Sequence, residues 1–459
     1  MKPVKNRYLH APLASNSMPR GIPYIIGNEA AERFSFYGMR TILVVFMTQY
    51  LIGANGQVEA MAAEEAKGWY HLFVSAVYLT PLLGALLSDG LLGKYRTIIL
   101  LSIVYTLGHF ALAVDDTRFG LALGLGLIAL GAGGIKPCVS AHVGDQFGAS
   151  NSHLLARVFG WFYFAINLGA LVSSLLTPWL LDTYGAAVAF GVPGILMLLA
   201  TLIFWSGRYR FIHIRPGGMH FIREAFSREG ISAIARLSVL YLFVAMFWAL
   251  FDQTGSAWVL QAQQMERTVF GIELLPAQIT AANPLLVMLL IPFFSYVIYP
   301  QLDKAFTLTP LRKIAIGMFI TVIAFSIASL TQESIDHGNT PHIGWQLLAY
   351  LVLTSAEVMV SITCLEFSYT QAPARMKSFI MAFFMMSIAA GNLFTSAVNF
   401  FIQSPDGSSR LEGAAYYWFF TLAMLATSVL FLLVVKFYRE KTYIHDEYRA
   451  DVAGPDVVE

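Results

Sequence analysis

Long apolar runs separated by short polar turns dominate this chain, and they leave it few ways to fold. A helix that crosses a bilayer needs about 20 mostly apolar residues. Runs of that kind predict spans over 22–51, 70–92, 98–114, 119–142, 157–181 and 186–206, and then over 237–262, 280–302, 310–331, 343–370, 377–402 and 414–437. The composition agrees: of 459 residues, 57% are hydrophobic and 12% are charged. Soluble proteins carry about 25% charged residues. Half that share cannot cover a domain of this size with a water-facing surface. A cytosolic enzyme, a secreted disulfide scaffold and a disordered regulator are therefore excluded. The fold class expected is all-α integral membrane, with 12 transmembrane helices.

The two cysteines, Cys138 and Cys364, both lie in apolar stretches, so neither a disulfide framework nor metal-ligand spacing is present. A net charge of +1 gives no nucleic-acid footprint. The first 20 residues are polar and basic without the small-residue cleavage site of a signal peptide, so the first apolar run is expected to remain as a span. The Lys and Arg of the loops then set the orientation. With both termini cytoplasmic, 22 fall inside, and only Lys67, Arg118, Arg267 and Arg410 fall outside.

Three basic residues, Arg33, Arg40 and Lys136, fall within spans, as do the acids Glu29, Glu32, Asp252, Glu357 and Glu366. A charge at the bilayer centre costs at least about 2.5–3.5 kcal/mol. Such residues should face a bundle interior or a water-filled cavity, in pairs. A static ion pair that only holds helices together is the alternative.

The chain divides at 207–236, a stretch with six arginines and Pro216-Gly217-Gly218. The expected organisation is an N-terminal six-helix bundle (1–206), a cytoplasmic linker (207–236) and a C-terminal six-helix bundle with a cytoplasmic tail (237–459). Two such halves suit rocking about a site at the membrane midplane. Within the linker, Phe221, Ile222, Ala225 and Phe226 would form one face of a short surface helix; a solvated linker is the other reading.

The first span reads Glu29-x-x-Glu32-Arg33-Phe34-Ser35-Phe36-Tyr37-Gly38-Met39-Arg40. Offsets of three, four, seven, eight and eleven put Glu29, Glu32, Arg33, Phe36 or Tyr37, and Arg40 along one helical stripe. Two acids and two bases on one face form a network able to exchange partners. Protonating a carboxylate releases its basic partner, which is a way to couple a proton to a conformational change.

This segment resembles the E-x-x-E-R-F-x-Y-Y-G hallmark of the proton-dependent oligopeptide transporters, a branch of the major facilitator superfamily, with Phe36 in place of the first Tyr. The resemblance continues along nearly the whole chain. Gly84-Ala85-Leu86-Leu87-Ser88-Asp89 with Gly93-Lys94-Tyr95-Arg96 is similar to the superfamily loop between spans two and three, where the Asp serves as a charge latch. Gly131-Ala132-Gly133-Gly134-Ile135-Lys136-Pro137 resembles the family's fourth-span signature, with Ala132 where Thr is usual. Phe162-Tyr163-x-x-Ile166-Asn167-Leu168-Gly169-Ala170-Leu171 resembles that of the fifth. Phe247-Trp248 through Gln253 and Gly255 resembles span seven, and Glu357 with Leu365-Glu366-Phe367-Ser368-Tyr369 resembles span ten.

The resemblance implies a major facilitator fold and a proton-driven symporter of di- and tripeptides, multi-pass in the cell membrane, driven by the proton gradient without a cofactor. Its partners would be peptides, protons and the lipid bilayer. Arg40 and Lys136 are then candidates for the peptide carboxylate, and Glu357 for the amine. Asn167 offers a donor and an acceptor to the peptide backbone. Tyr37, Tyr78, Tyr163 and Trp258 would line side-chain pockets. Glu29 and Glu32 lead as proton carriers, with Arg33 and Lys136 as partners. His71, placed at the start of span two, and Asp252 are further candidates for coupling, since His titrates near physiological pH. Glu366, near the end of its span, suits a structural or latch role. His109 and His142 read as satisfied structural histidines.

Ala257 stands where animal members of the family have an Arg in span seven, and Ser295 where they have an Asp early in span eight, so that pair is expected to be absent here. The loop near 332–342 is too short for the large external domain of the animal proteins, which favours a bacterial inner membrane. Other substrates of the same family, such as an amino acid, nitrate or a peptide-like compound, remain open, although Glu357 favours a substrate with an amine. A membrane-embedded hydrolase or transferase lacks a nucleophile elbow and a metal-ligand pair, and a receptor that binds without transport is a third reading.

Overall fold

The computed structural model describes residues 8–438, apart from 13, 54, 217, 219–226, 372–376 and 405–407. The first helix, α1, runs Ile22–Val45 and continues as a π-helical turn over Phe46–Tyr50. Eleven further helices are long and apolar enough to cross a membrane. They are α2 (Ala63–Leu92), α3 (Lys94–Val114), α4 (Arg118–Asp145), α5 (Arg157–Tyr184), α6 (Ala186–Ser206), α7 (Ile231–Ala262), α8 (Pro276–Ala305), α9 (Pro310–Asp336), α10 (Gly344–Ser368), α11 (Ala382–Ile402) and α12 (Ala414–Phe437). Helix α1 has comparable length and differs by carrying Glu29, Glu32, Arg33 and Arg40. The all-α reading needs one addition. A hairpin of two short antiparallel strands, β1 (Thr268–Val269) and β2 (Ile272–Glu273), sits between α7 and α8.

Several helices extend past their apolar runs, because charged residues complete their end turns. Helix α2 begins at Ala63, with Glu64 and Glu65 in its first turn, where carboxylates complement free backbone N–H groups. Lys67, expected in a loop, is therefore inside α2. It is buried, lies 3.4 Å from Glu64 and stacks 3.7 Å over the Tyr416 ring. The third span, short in the sequence, gains a turn at Lys94 and reaches 21 residues. Arg236, expected in the linker, lies within α7. The surface helix expected over 221–226 lies outside the described residues, as do the basic residues Lys2, Lys5, Arg7, Arg223, Arg375, Arg439, Lys441 and Arg449.

Buried apolar residues gather in two main cores. One takes its members from Ile22 to Phe211 and reaches across to Val259 and Ala277; the other runs from Leu237 to Phe431. In the first, α1 packs on α5 and α6, and α3 on α4 and α6. In the second, α7 packs on α11, and α9 on α10 and α12. The two meet chiefly where α2 lies along α11 and where α5 and α1 meet the start of α8. These contacts place the polar stripe of α1 beside the middle of α7.

Candidate functional site

Two local departures from regular helix and one close helix approach build the site. Helix α7 tightens to a 3₁₀ turn over Asp252–Gly255, which turns Asp252 and Ser256 toward α1 and α2. Helix α10 opens into a π-helical turn over Val358–Ile362, immediately after Glu357; such widenings are frequent at functional sites. Gly255 permits the third feature. A Cβ there would lie 2.0 Å from the Tyr70 hydroxyl, so any larger residue would push α2 away from α7.

Between the two cores lies a cavity of about 220 Å³. The first half contributes Tyr37, Arg40, Tyr70, Tyr78, Tyr163 and Asn167 to its wall; the second contributes Trp248, Asp252, Asn283 and Glu357. Arg40 forms an ion pair with Asp252 and donates from Nε to the Tyr70 hydroxyl at 2.6 Å. Asp252 is buried, and its other oxygen accepts from Asn392 Nδ2 at 2.6 Å. Asn392 Oδ1 lies 2.7 Å from His71 Nδ1, and His71 Nε2 lies 2.8 Å from the Ser256 hydroxyl. An amide oxygen only accepts, so Nδ1 carries the imidazole proton and Nε2 of the neutral ring accepts from Ser256. One continuous chain thus runs Tyr70–Arg40–Asp252–Asn392–His71–Ser256 and crosses three times between the halves.

His71 is accordingly not an interfacial residue at a helix start. Because α2 begins at Ala63, the histidine sits two turns into the helix and is fully buried. Glu357 lines the same cavity from the second half, and Asn283 Nδ2 donates to it at 2.8 Å. Asn167 donates one amide N–H to the Tyr163 carbonyl at 3.0 Å and keeps its other N–H and its oxygen.

The second charge cluster lies along α1. Arg33 Nε donates to Glu29 at 2.7 Å and lies 3.2 Å from Glu32. The second contact lacks hydrogen-bond alignment, and both oxygens of the buried Glu32 have no hydrogen-bond partner among the described residues. Lys136 makes no ion pair among them either. Its ammonium lies 4.2 Å over the Phe36 ring and 5.4 Å from that of Tyr78, so it is held by aromatic faces, and Phe36 in the tyrosine position supplies one of them.

Other expected residues fall elsewhere. Trp258 does not reach the cavity. It is fully buried in the second core, against Tyr350 at 5.1 Å and Phe325 at 5.5 Å between ring centroids. Glu366 is exposed rather than buried in its span. Asp89 accepts from Ser88 at 3.3 Å, while Lys94, the basic residue beyond it, pairs with Asp145 at 2.8 Å. Ala257 is buried, whereas Ser295 is exposed and late in α8 rather than early. Neither His109 nor His142 is satisfied: both ring nitrogens of His109 and Nε2 of His142 lack a partner among the described residues. The sequence reading missed Tyr70, Asn283, Ser256 and Asn392. An Asn in an apolar span is costly without a partner, and Asn392, following Ala389-Ala390-Gly391, carried that signal.

Secondary transporters hold their substrates in such a place, a cavity lined by charged groups between two halves of a membrane-spanning helical protein. The family model described as the POT family matches residues 95–229 and 221–419, and the chain belongs to that family, which consists of transporters rather than enzymes. It is similar to peptide transporter family 1 of Drosophila melanogaster, with 39% identity over 359 residues, 68% of this chain and 47% of the relative. The chain spans about half the length of the curated relatives it matches. It is similar in structure to the POT family transporter PepTSo, with a TM-score of 0.81 and 38% identity over 92% of this chain and 98% of that one. A crystal structure described as a proton dependent oligopeptide (POT) family transporter gives a TM-score of 0.75 and 38% identity over 89% of this chain and 100% of that one.

Proposed function

We propose that the chain is a proton-coupled symporter that imports di- and tripeptides by alternating access. The observation that carries this reading is that Arg40 of the first half and Glu357 of the second line one cavity. A zwitterionic peptide needs a cation at one end and a carboxylate at the other. Extended residues span about 3.3–3.6 Å each, so a clamp between facing helices suits two or three of them. The cavity is smaller than the roughly 300–1,000 Å³ of common ligand pockets, which also favours a short substrate. Glu357 favours an amine-bearing substrate over nitrate.

Arg40 has two tasks in this reading. It holds Asp252 when the cavity is empty, and it meets the peptide carboxylate when substrate arrives. The carboxylate competes with Asp252 and loosens the link between α1 and α7. Lys136, held by aromatic faces alone, is the second cation for the carboxylate. Glu32 is the leading proton carrier, with Glu29 and Arg33 beside it. A buried carboxylate without a donor is costly as a charge, and a proton removes that cost. His71 and Asp252 transmit the change between halves.

The same reading makes all twelve long helices spans, puts both termini in the cytoplasm, and divides the chain into bundles at 1–206 and 237–459 joined by 207–236. It places the protein in a bacterial inner membrane. No cofactor takes part.

The test is uptake of a radiolabelled dipeptide into proteoliposomes under an inward proton gradient. Saturable accumulation that collapses with a proton ionophore is expected. Binding without accumulation would point to a receptor, and neither binding nor uptake would point to another substrate.

A further inference from the structure

A second cavity, of about 320 Å³, lies on the first half, away from the charged site. It is bounded by Tyr8 and His10, by Lys94 and Arg96 at the start of α3, by His142 near the end of α4, and by His213 and Arg215 of the linker. The N-terminal residues are tied to the linker here. His213 N donates to the Leu9 carbonyl at 2.7 Å, and His10 Nδ1 donates to the His213 carbonyl at 2.8 Å. The Tyr8 and Tyr95 rings flank His213 at 4.3 and 4.8 Å.

Three observations give this cavity a charge preference. First, its lining holds Lys94, Arg96, Arg215 and three histidines, and no carboxylate. Asp145 pairs with Lys94, while Arg96 and Arg215 are exposed and make no ion pair among the described residues.

Second, α3 begins without a cap. Gly93 at its N-cap has no side chain to offer and adopts φ +79, and a Cβ there would sit 3.4 Å from the Ile214 carbonyl. Free N–H groups at the start of a long helix attract anions. This first turn carries Lys94 and Arg96 and no acid, the reverse of the charge that favours a helix start.

Third, His142 is 1% exposed and lines the cavity, yet its Nε2 has no partner among the described residues. A buried ring nitrogen without a partner costs free energy, and an acceptor in the cavity would supply one. His213 points the same way. Burial pulls its proton affinity below the ordinary imidazole value, the Arg208 carbonyl opposes that, and His10 and Arg96 add to the lowering. An anion would offset the positive charge of Arg96.

We propose that this cavity binds a phosphate group, free or carried as a phospholipid headgroup, and that its occupancy fastens the N-terminal residues and the linker to the start of α3. A tetrahedral phosphate can accept from backbone N–H groups, two guanidinium groups and an imidazole together. The volume leaves room for the group that carries it.

The experiment compares the whole protein with R96Q/R215Q, two exposed positions outside the transport cavity. Thermal unfolding in detergent is followed against inorganic phosphate, with sodium chloride at matched ionic strength. Saturable stabilisation specific to phosphate is expected, with apparent affinity at least about tenfold weaker in the variant. The same comparison in phosphatidylglycerol and phosphatidylcholine vesicles separates the sources. Stabilisation by phosphatidylglycerol alone, lost in the variant, assigns the site to the headgroup. A response that is the same for both proteins in every condition, or no response to either probe, overturns the proposal.

Discussion

His71 on α2 and Asn392 on α11 are joined by a 2.7 Å hydrogen bond that crosses from one core to the other. Asn392 also donates to Asp252 at 2.6 Å, so a single amide connects the histidine to the ion pair of Arg40. Asn392→Ala breaks both bonds and leaves a buried oxygen of Asp252 without its donor. Unmade buried hydrogen bonds cost about 1–3 kcal/mol each, so this link between the halves should weaken roughly tenfold or more. Proton-driven dipeptide uptake in proteoliposomes should fall, and its pH profile should shift as His71 loses its fixed tautomer. Wild-type uptake with an unchanged pH profile would reduce Asn392 to a packing residue.

The Arg40–Asp252 pair predicts a non-additive pattern. Asp252→Ala strands a guanidinium whose side chain is 12% exposed. Removing one partner of a buried pair costs about 3–5 kcal/mol, whereas replacing both is often close to neutral. The double variant R40Q/D252N should therefore unfold at a higher temperature in detergent than at least one of the single variants. Strictly additive losses would mean that the pair is not coupled.

Glu32 is buried and has no hydrogen donor among the described residues, whereas Glu29 takes Arg33 at 2.7 Å. Glu32→Gln mimics a permanently protonated acid. Uphill accumulation driven by a proton gradient should disappear, while exchange of labelled for unlabelled peptide across the membrane should persist. Retained uphill accumulation would move the proton to another group.

Much of this arrangement was legible in the sequence. Apolar runs located twelve long helices, and helical offsets put Glu29, Glu32, Arg33 and Arg40 on one stripe. Helix ends were less legible, because Glu64, Lys67 and Lys94 are charged residues that helices nonetheless absorb, and that error moved His71 from the middle of an interface to its margin. Partners across the halves were illegible for a different reason. Spacing along one helix says nothing about which of its neighbours comes near, so Asp252 was visible as a buried acid but not as the partner of Arg40. Trp258 shows the same limit: a large aromatic beside polar residues fits a pocket wall or a core equally well.

Glu357 faces the cavity with one hydrogen bond from Asn283, at 2.8 Å, and is the proposed partner of the peptide amine. Glu357→Gln keeps the shape and removes the charge. A hydrogen bond to a charged group contributes about 1.5–3 kcal/mol, so the apparent affinity for a free dipeptide should fall at least about tenfold. Competition by the same dipeptide with its amine acetylated should change far less, since it presents no cation to the carboxylate. Equal losses for both ligands would count against the clamp.

Trp258 is fully buried against Phe325 and Tyr350, and its substitution should act on stability rather than on recognition. Trp→Ala in a core costs about 3–5 kcal/mol, because the lost contacts and the remaining void add together. Trp258→Ala should lower the unfolding temperature in detergent markedly, and Trp258→Phe should do so less. Where either variant folds, the KM for dipeptide should match the wild type and only the amount of active protein should drop. A raised KM at normal unfolding temperature would return this tryptophan to the substrate site, through a conformation in which α7 turns its ring toward the cavity.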